Sequence, residues 1–155
     1  MLSEEVHGAH VSSFLRDVPV CQRFPEKHLP CLLMEGVEVV YPEGSEIVKP
    51  GDPSTSIYVV TQGSARMVLE SPTSTGKMSS VLRLLGPGDL FGLGPALDGR
   101  PYVAGLQSMT ETRVLVVSRE SFLRELEDHP AACRGLLGQF GEMVRACESW
   151  IISLL

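Results

Sequence analysis

The stretch YPEGSEIVKPGDPSTSIYVVTQGSARM, residues 41–67, alternates apolar and polar side chains in short runs. Each run ends in proline, glycine, asparate or serine: PEG at 42–44, PGDPS at 50–54 and QG at 62–63. Period-two alternation between turn residues reads as half-buried antiparallel strands, since successive strand side chains point to opposite faces. The pattern extends both ways, with VEVVY (37–41) before it and MSSVLRLL (78–85), VAGLQSM (103–109) and TRVLVV (112–117) after it. GPGD at 86–89 and LDGRP at 97–101 supply further turns, and SPTSTGKMSS at 71–80 reads as an exposed hairpin tip. Many short strands with turn signals at regular intervals predict an antiparallel double-stranded β-helix, or jelly roll, over residues 37–118. Gly44, Gly51, Gly63, Gly86 and Gly88 fall at its corners, where positive φ is expected.

The flanks are helical in character. Residues 1–36 contain SSFLRDVPVCQRF and PEKHLPCLLMEG, with Pro25 suited to a first helical position, Pro30 a kink and Gly36 a stop. Ser118 is a candidate N-cap for SRESFLRELED, which should end before His129-Pro130. Beyond it, Cys133, Leu137, Phe140, Val144, Cys147, Ile151 and Leu154 recur at alternating spacings of four and three. That is the a/d repeat of a coiled coil, and it predicts a long helix with a parallel homodimer seam. Leu136, Met143 and Trp150 widen the stripe, enough to face both the roll and a second chain. Gly138 and Gly141 each weaken the helix by about 1 kcal/mol relative to alanine. The repeat runs to WIISLL without a stop signal, so the chain is expected to continue beyond residue 155.

Bulk properties narrow the function. With 155 residues the chain has room for one domain with a proper core. A net charge of −6 and scattered lysines and arginines argue against nucleic-acid contact by this segment. No secretory or transit signal and no membrane span is read, which predicts a cytoplasmic protein. Cys21, Cys31, Cys133 and Cys147 include no CxxC pair and are expected as free thiols. No nucleophile–base pairing, metal-ligand cluster or P-loop is present, so an enzyme is not expected, and neither is a metal site.

A second stretch, DLFGLGPALDGRPYVAG (89–105), has the glycines of a phosphate-holding loop but almost none of the charges. Together with YPEGSEIVKPGDPSTSIYVVTQGSARM, LLGPGDLFG and TRVLVVSRESF, it resembles the cyclic-nucleotide-binding domain. More narrowly, the chain resembles the sensor half of bacterial Crp/Fnr-type transcription regulators, over about residues 14–155. The resemblance implies a ligand pocket behind Phe91-Gly92. In cyclic-AMP binders of the family, a glutamate follows that pair and holds the ribose hydroxyl. An arginine nine residues on holds the cyclic phosphate, with a small hydroxyl residue after it. Here those positions hold Leu93, Tyr102 and Val103. Arg100 stands two residues before Tyr102 and is the candidate substitute. Without it, a cyclic phosphate beside Leu93 and Val103 has no partner charge, so ordinary cyclic-nucleotide binding is not expected.

The resemblance therefore implies a pocket of Leu93, Gly94, Pro95, Tyr102 and Val103 for an unidentified small-molecule effector. Cys147 and Glu148 come from the long helix where it meets the ligand. Tyr102 is either a pocket gate or a satisfied core residue. Leu136, Phe140, Val144, Cys147 and Ile151 would carry the signal to a DNA-binding domain beyond this segment. A haem-based gas sensor is an alternative, with His28, His129, Cys147 or Tyr102 as axial candidates. A stand-alone dimeric scaffold is another. An iron–sulfur sensor is disfavoured because the cysteines are too dispersed.

Overall fold

The structure, a computed structural model, describes residues 36–155. The expected helices before Gly36, with Cys21, Cys31 and His28, lie outside the described residues, as do the side chains of Leu136, Phe140, Met143 and Trp150.

Eight strands form the roll. They are β1 (Gly36–Tyr41), β2 (Glu46–Val48), β3 (Ser56–Gln62), β4 (Ala65–Thr73), β5 (Gly76–Leu85), β6 (Leu90–Phe91), β7 (Gly105–Ser108) and β8 (Thr112–Ser118). One sheet runs β1-β8-β3-β6 and the other β2-β7-β4-β5, every pairing antiparallel. Three helices accompany them: α1 (Leu93–Asp98) between β6 and β7, then α2 (Arg119–Asp128) and α3 (Pro130–Leu154). The expected antiparallel β architecture is thus found.

The core forms between the sheets, because each strand sends alternate side chains inward. Val48, Val60, Ala65, Leu85, Phe91, Leu106 and Val114 are buried there together with Tyr102. The buried Ser108 hydroxyl is satisfied. Ser108 donates its hydroxyl to the Pro42 carbonyl at 2.6 Å and accepts from the Ser45 amide at 2.8 Å, pinning the β1–β2 turn to β7. Gly105 has no room for a side chain: a Cβ there would stand 2.8 Å from both the Val48 carbonyl and the Pro50 ring.

Two expectations need correction. The polar stretch 71–80 is mostly ladder, with Pro72 opposite Lys77 and Thr73 opposite Gly76, so the tip shrinks to Ser74 and Thr75. Beyond Val68, β4 pairs only with β5, so the missing N–H of Pro72 breaks no ladder. Gly86 is not among the positive-φ glycines. Its amide instead donates to Asp89 Oδ2 at 2.9 Å, a side-chain-closed turn that sets φ no special demand.

Ser118 caps α2 by accepting from the Ser121 amide at 3.1 Å. In α3, Pro130 opens the helix, and its 25 residues extend about 38 Å at the helical rise. Among the described residues, the helix packs chiefly against α2. Leu137, Val144, Ile151 and Leu154 of the heptad stripe are more than half exposed. No described helix is long and apolar enough to cross a membrane.

Candidate functional site

The loop from β6 through α1 to β7 closes one side of a cavity of about 280 Å³. Gly92 makes the loop possible. Its φ of +94° starts α1, and a Cβ would stand 3.0 Å from the Ser56 carbonyl and 3.2 Å from the Tyr102 ring. Gly99 ends α1 with φ +74° and donates its amide to the Pro95 carbonyl at 2.9 Å. Arg119, the first residue of α2, reaches across and donates from Nε to the Ala96 carbonyl at 2.8 Å. The loop helix is therefore tied directly to the helical segment.

Five of the expected pocket residues come together as cavity wall: Leu93, Gly94, Pro95, Tyr102 and Val103. Phe91, Leu85, Leu90 and Met67 complete its apolar floor. The Tyr102 ring stacks on Phe91 at a centroid distance of 5.6 Å and is almost wholly buried. Its hydroxyl donates to the Ser56 carbonyl and accepts from the Ser56 amide at 3.2 Å. Tyr102 thus contributes a flat ring face to the cavity, while its oxygen is committed to β3. Nearby Tyr58 tilts against Phe91 at 6.2 Å. Burial, with the neighbouring Tyr102 and Tyr41 phenols adding to it, pushes the Tyr58 hydroxyl up to about 12.

Three expected residues lie elsewhere. Arg100 is exposed, its amide held by Asp98 Oδ1 at 2.9 Å, and it is not part of the cavity wall. Strand parity does not apply to it, because β7 begins only at Gly105. Cys147 and Glu148 are exposed on α3 and also lie outside the wall.

The haem candidates fare no better. His129 sits at the α2–α3 junction with Nε2 3.3 Å from Glu125, Cys147 is off the cavity, and the Tyr102 oxygen is engaged by Ser56. The described residues do not fit a haem site. Among them there is also no cluster of three or more histidine, cysteine or carboxylate groups that would hold a metal ion.

Among the wall residues not anticipated, one is charged. Arg83 on β5 lines the mouth of the cavity and pairs through Nη2 with Asp89 Oδ1 at 3.1 Å. It is the only charged residue of the wall among the described residues. The sequence signal was an arginine set among leucines in VLRLL, two residues before Leu85 and so on the same face of the strand.

The sequence matches the model of the cyclic nucleotide-binding domain over residues 38–129. The chain belongs to that family. It is 29% identical over 109 residues to the cyclic AMP receptor protein of Thermus thermophilus, covering 70% of this chain and 49% of that protein. It is likewise 29% identical over 112 residues to the cAMP-dependent protein kinase regulatory subunit of Dictyostelium discoideum, covering 72% of this chain and 34% of the other.

Among solved structures, the Thermus thermophilus catabolite activator protein superposes with a TM-score of 0.75 at 25% identity, covering 88% of this chain and 62% of that one. The sensor domain of the transcriptional regulator DNR from Pseudomonas aeruginosa gives 0.79 at 19% identity, over 96% and 95% of the two chains, a likeness of fold. This member of the cyclic nucleotide-binding family spans about half the length of the transcription regulators it matches among curated proteins. Such relatives are receptors and regulatory subunits, which gives no support to catalysis.

Proposed function

We propose that this chain is the effector-sensing and dimerisation part of a Crp/Fnr-like transcription regulator, with a pocket that does not take cyclic AMP in the usual way. The observation that carries the reading is the pairing of Leu93 and Tyr102 in the cavity wall, with the Tyr102 hydroxyl committed to Ser56. These two stand where the family's cyclic-AMP binders place an acid and an arginine. A cyclic phosphodiester seated against these two residues would lose the partners that those positions supply in such binders, at a cost of roughly several kcal/mol. An apolar cavity suits an effector with a largely hydrophobic body.

The exposed stripe of Leu137, Val144, Ile151 and Leu154 supports a seam with a second copy of the chain, Cys133 and Cys147 sharing its spacing. DNA contact belongs to a further domain, since this segment carries net negative charge.

Calorimetric titration with cyclic AMP and cyclic GMP tests the pocket reading. No heat of binding is expected up to millimolar nucleotide. Micromolar binding of either would remove the argument from Leu93 and Tyr102.

A further inference from the structure

Strand β5 sets one arginine at the edge of the cavity. Arg83 and Leu85, two residues apart and in regular register with Met67 and Ala65, both line it, while Leu84 between them is 62% exposed. Leu85 is buried, whereas the Arg83 side chain is 53% exposed, so the guanidinium stays in contact with water while its strand position holds it in the cavity wall.

We propose that Arg83 is the anion anchor of the effector pocket, and that the effector is a small monocarboxylate with an apolar body. The inference rests on the apolar-pocket reading above and adds the headgroup. Eleven of the twelve wall residues are uncharged, so the site offers one positive charge at its mouth and hydrocarbon or aromatic surface behind it. One guanidinium matches one carboxylate, which can accept two parallel N–H bonds. A phosphate monoester carries more charge than a single arginine offsets. The sugar of a nucleotide would bring hydroxyls to Leu93, which has no group to bond them.

Asp89 shows that a carboxylate can reach this guanidinium. Its Oδ1 lies 3.1 Å from Arg83 Nη2, and its Oδ2 is held by the Gly86 amide. Asp89 is therefore a tethered competitor: an incoming carboxylate takes over Arg83, and the turn keeps its Gly86 bond.

The full chain is titrated calorimetrically with sodium octanoate, 1-octanol and cyclic AMP. Octanoate is expected to bind roughly tenfold more tightly than octanol, the usual scale of a charge-assisted pair. Arg83→Met should bring the two within about twofold of each other. Asp89→Asn keeps an oxygen for the Gly86 amide but releases Arg83. It should tighten octanoate about threefold and leave octanol unchanged.

If Arg83→Met does not fold, Asp89→Asn decides, because a purely structural ion pair predicts no gain on its removal. Equal affinity of the wild-type chain for octanoate and octanol overturns the anchor and leaves the apolar pocket standing. Binding of cyclic AMP overturns the pocket reading itself, and binding of neither octanoate nor octanol overturns both.

Discussion

Tyr102 does work that its position in the sequence conceals. Its ring completes the core and its hydroxyl both donates to and accepts from the Ser56 backbone. Tyr102→Phe keeps the ring and orphans two backbone groups, so a loss of about 1–2 kcal/mol in urea unfolding is expected. Tyr58 carries a pH signature. Because its folded pKa is raised to about 12 from the usual 10.0, its contribution to stability is complete below pH 10 and is lost as the pH climbs towards 12. Thermal melts between pH 9 and 12 should show Tm falling, and falling less in Tyr58→Phe.

Leu93 and Tyr102 were legible as departures from a charged cradle, because a missing acid or arginine is visible in any register. The destination of the Tyr102 hydroxyl was not, since Ser56 is 46 residues away in the chain. Arg83 was hidden for a different reason. Alternation puts it on the face of Leu85, but which face of VLRLL meets the core is set by the pairing of β5 with β4.

The elements were read well wherever a turn required a special conformation. Gly44, Gly51, Gly63 and Gly88 have positive φ, and Ser118 caps α2. Errors arose where the chain relied on side chains instead, as at Gly86, or where a polar composition continued a ladder, as at 71–73. Within the loop, α1 depends on Gly92. Gly92→Ala forces a left-handed φ and a tight approach to Ser56 and Tyr102, which should cost about 1–3 kcal/mol. Its melting curve checks this. Arg119 binds the other end of α1. Arg119→Met should leave the roll folded while hydrogen exchange quickens at Ala96 and Gly99, because the Ala96 carbonyl loses its partner.

For the molecule as a whole, the roll holds its core between two sheets, whereas α3 carries an exposed apolar stripe. Leu137, Val144, Ile151 and Leu154 are exposed on a helix that packs, among the described residues, chiefly on α2. In the proposed dimer, a charge at an a or d position must be desolvated against its own copy. The double variant Val144→Glu and Ile151→Glu should raise the dimer dissociation constant more than about tenfold. Sedimentation equilibrium reads this as a halved mass, and an unchanged Tm for the roll would place the effect on α3.

Ser74 and Thr75 turn the β4–β5 hairpin at a point where every flanking residue is exposed. The ladder closes on both sides of them, with the Thr73 hydroxyl donating to the Gly76 carbonyl at 3.0 Å. Splicing a flexible insert between those two residues lengthens a closure whose entropy grows only slowly with length. A fluorophore or affinity handle grafted there would report on the domain without disturbing its packing.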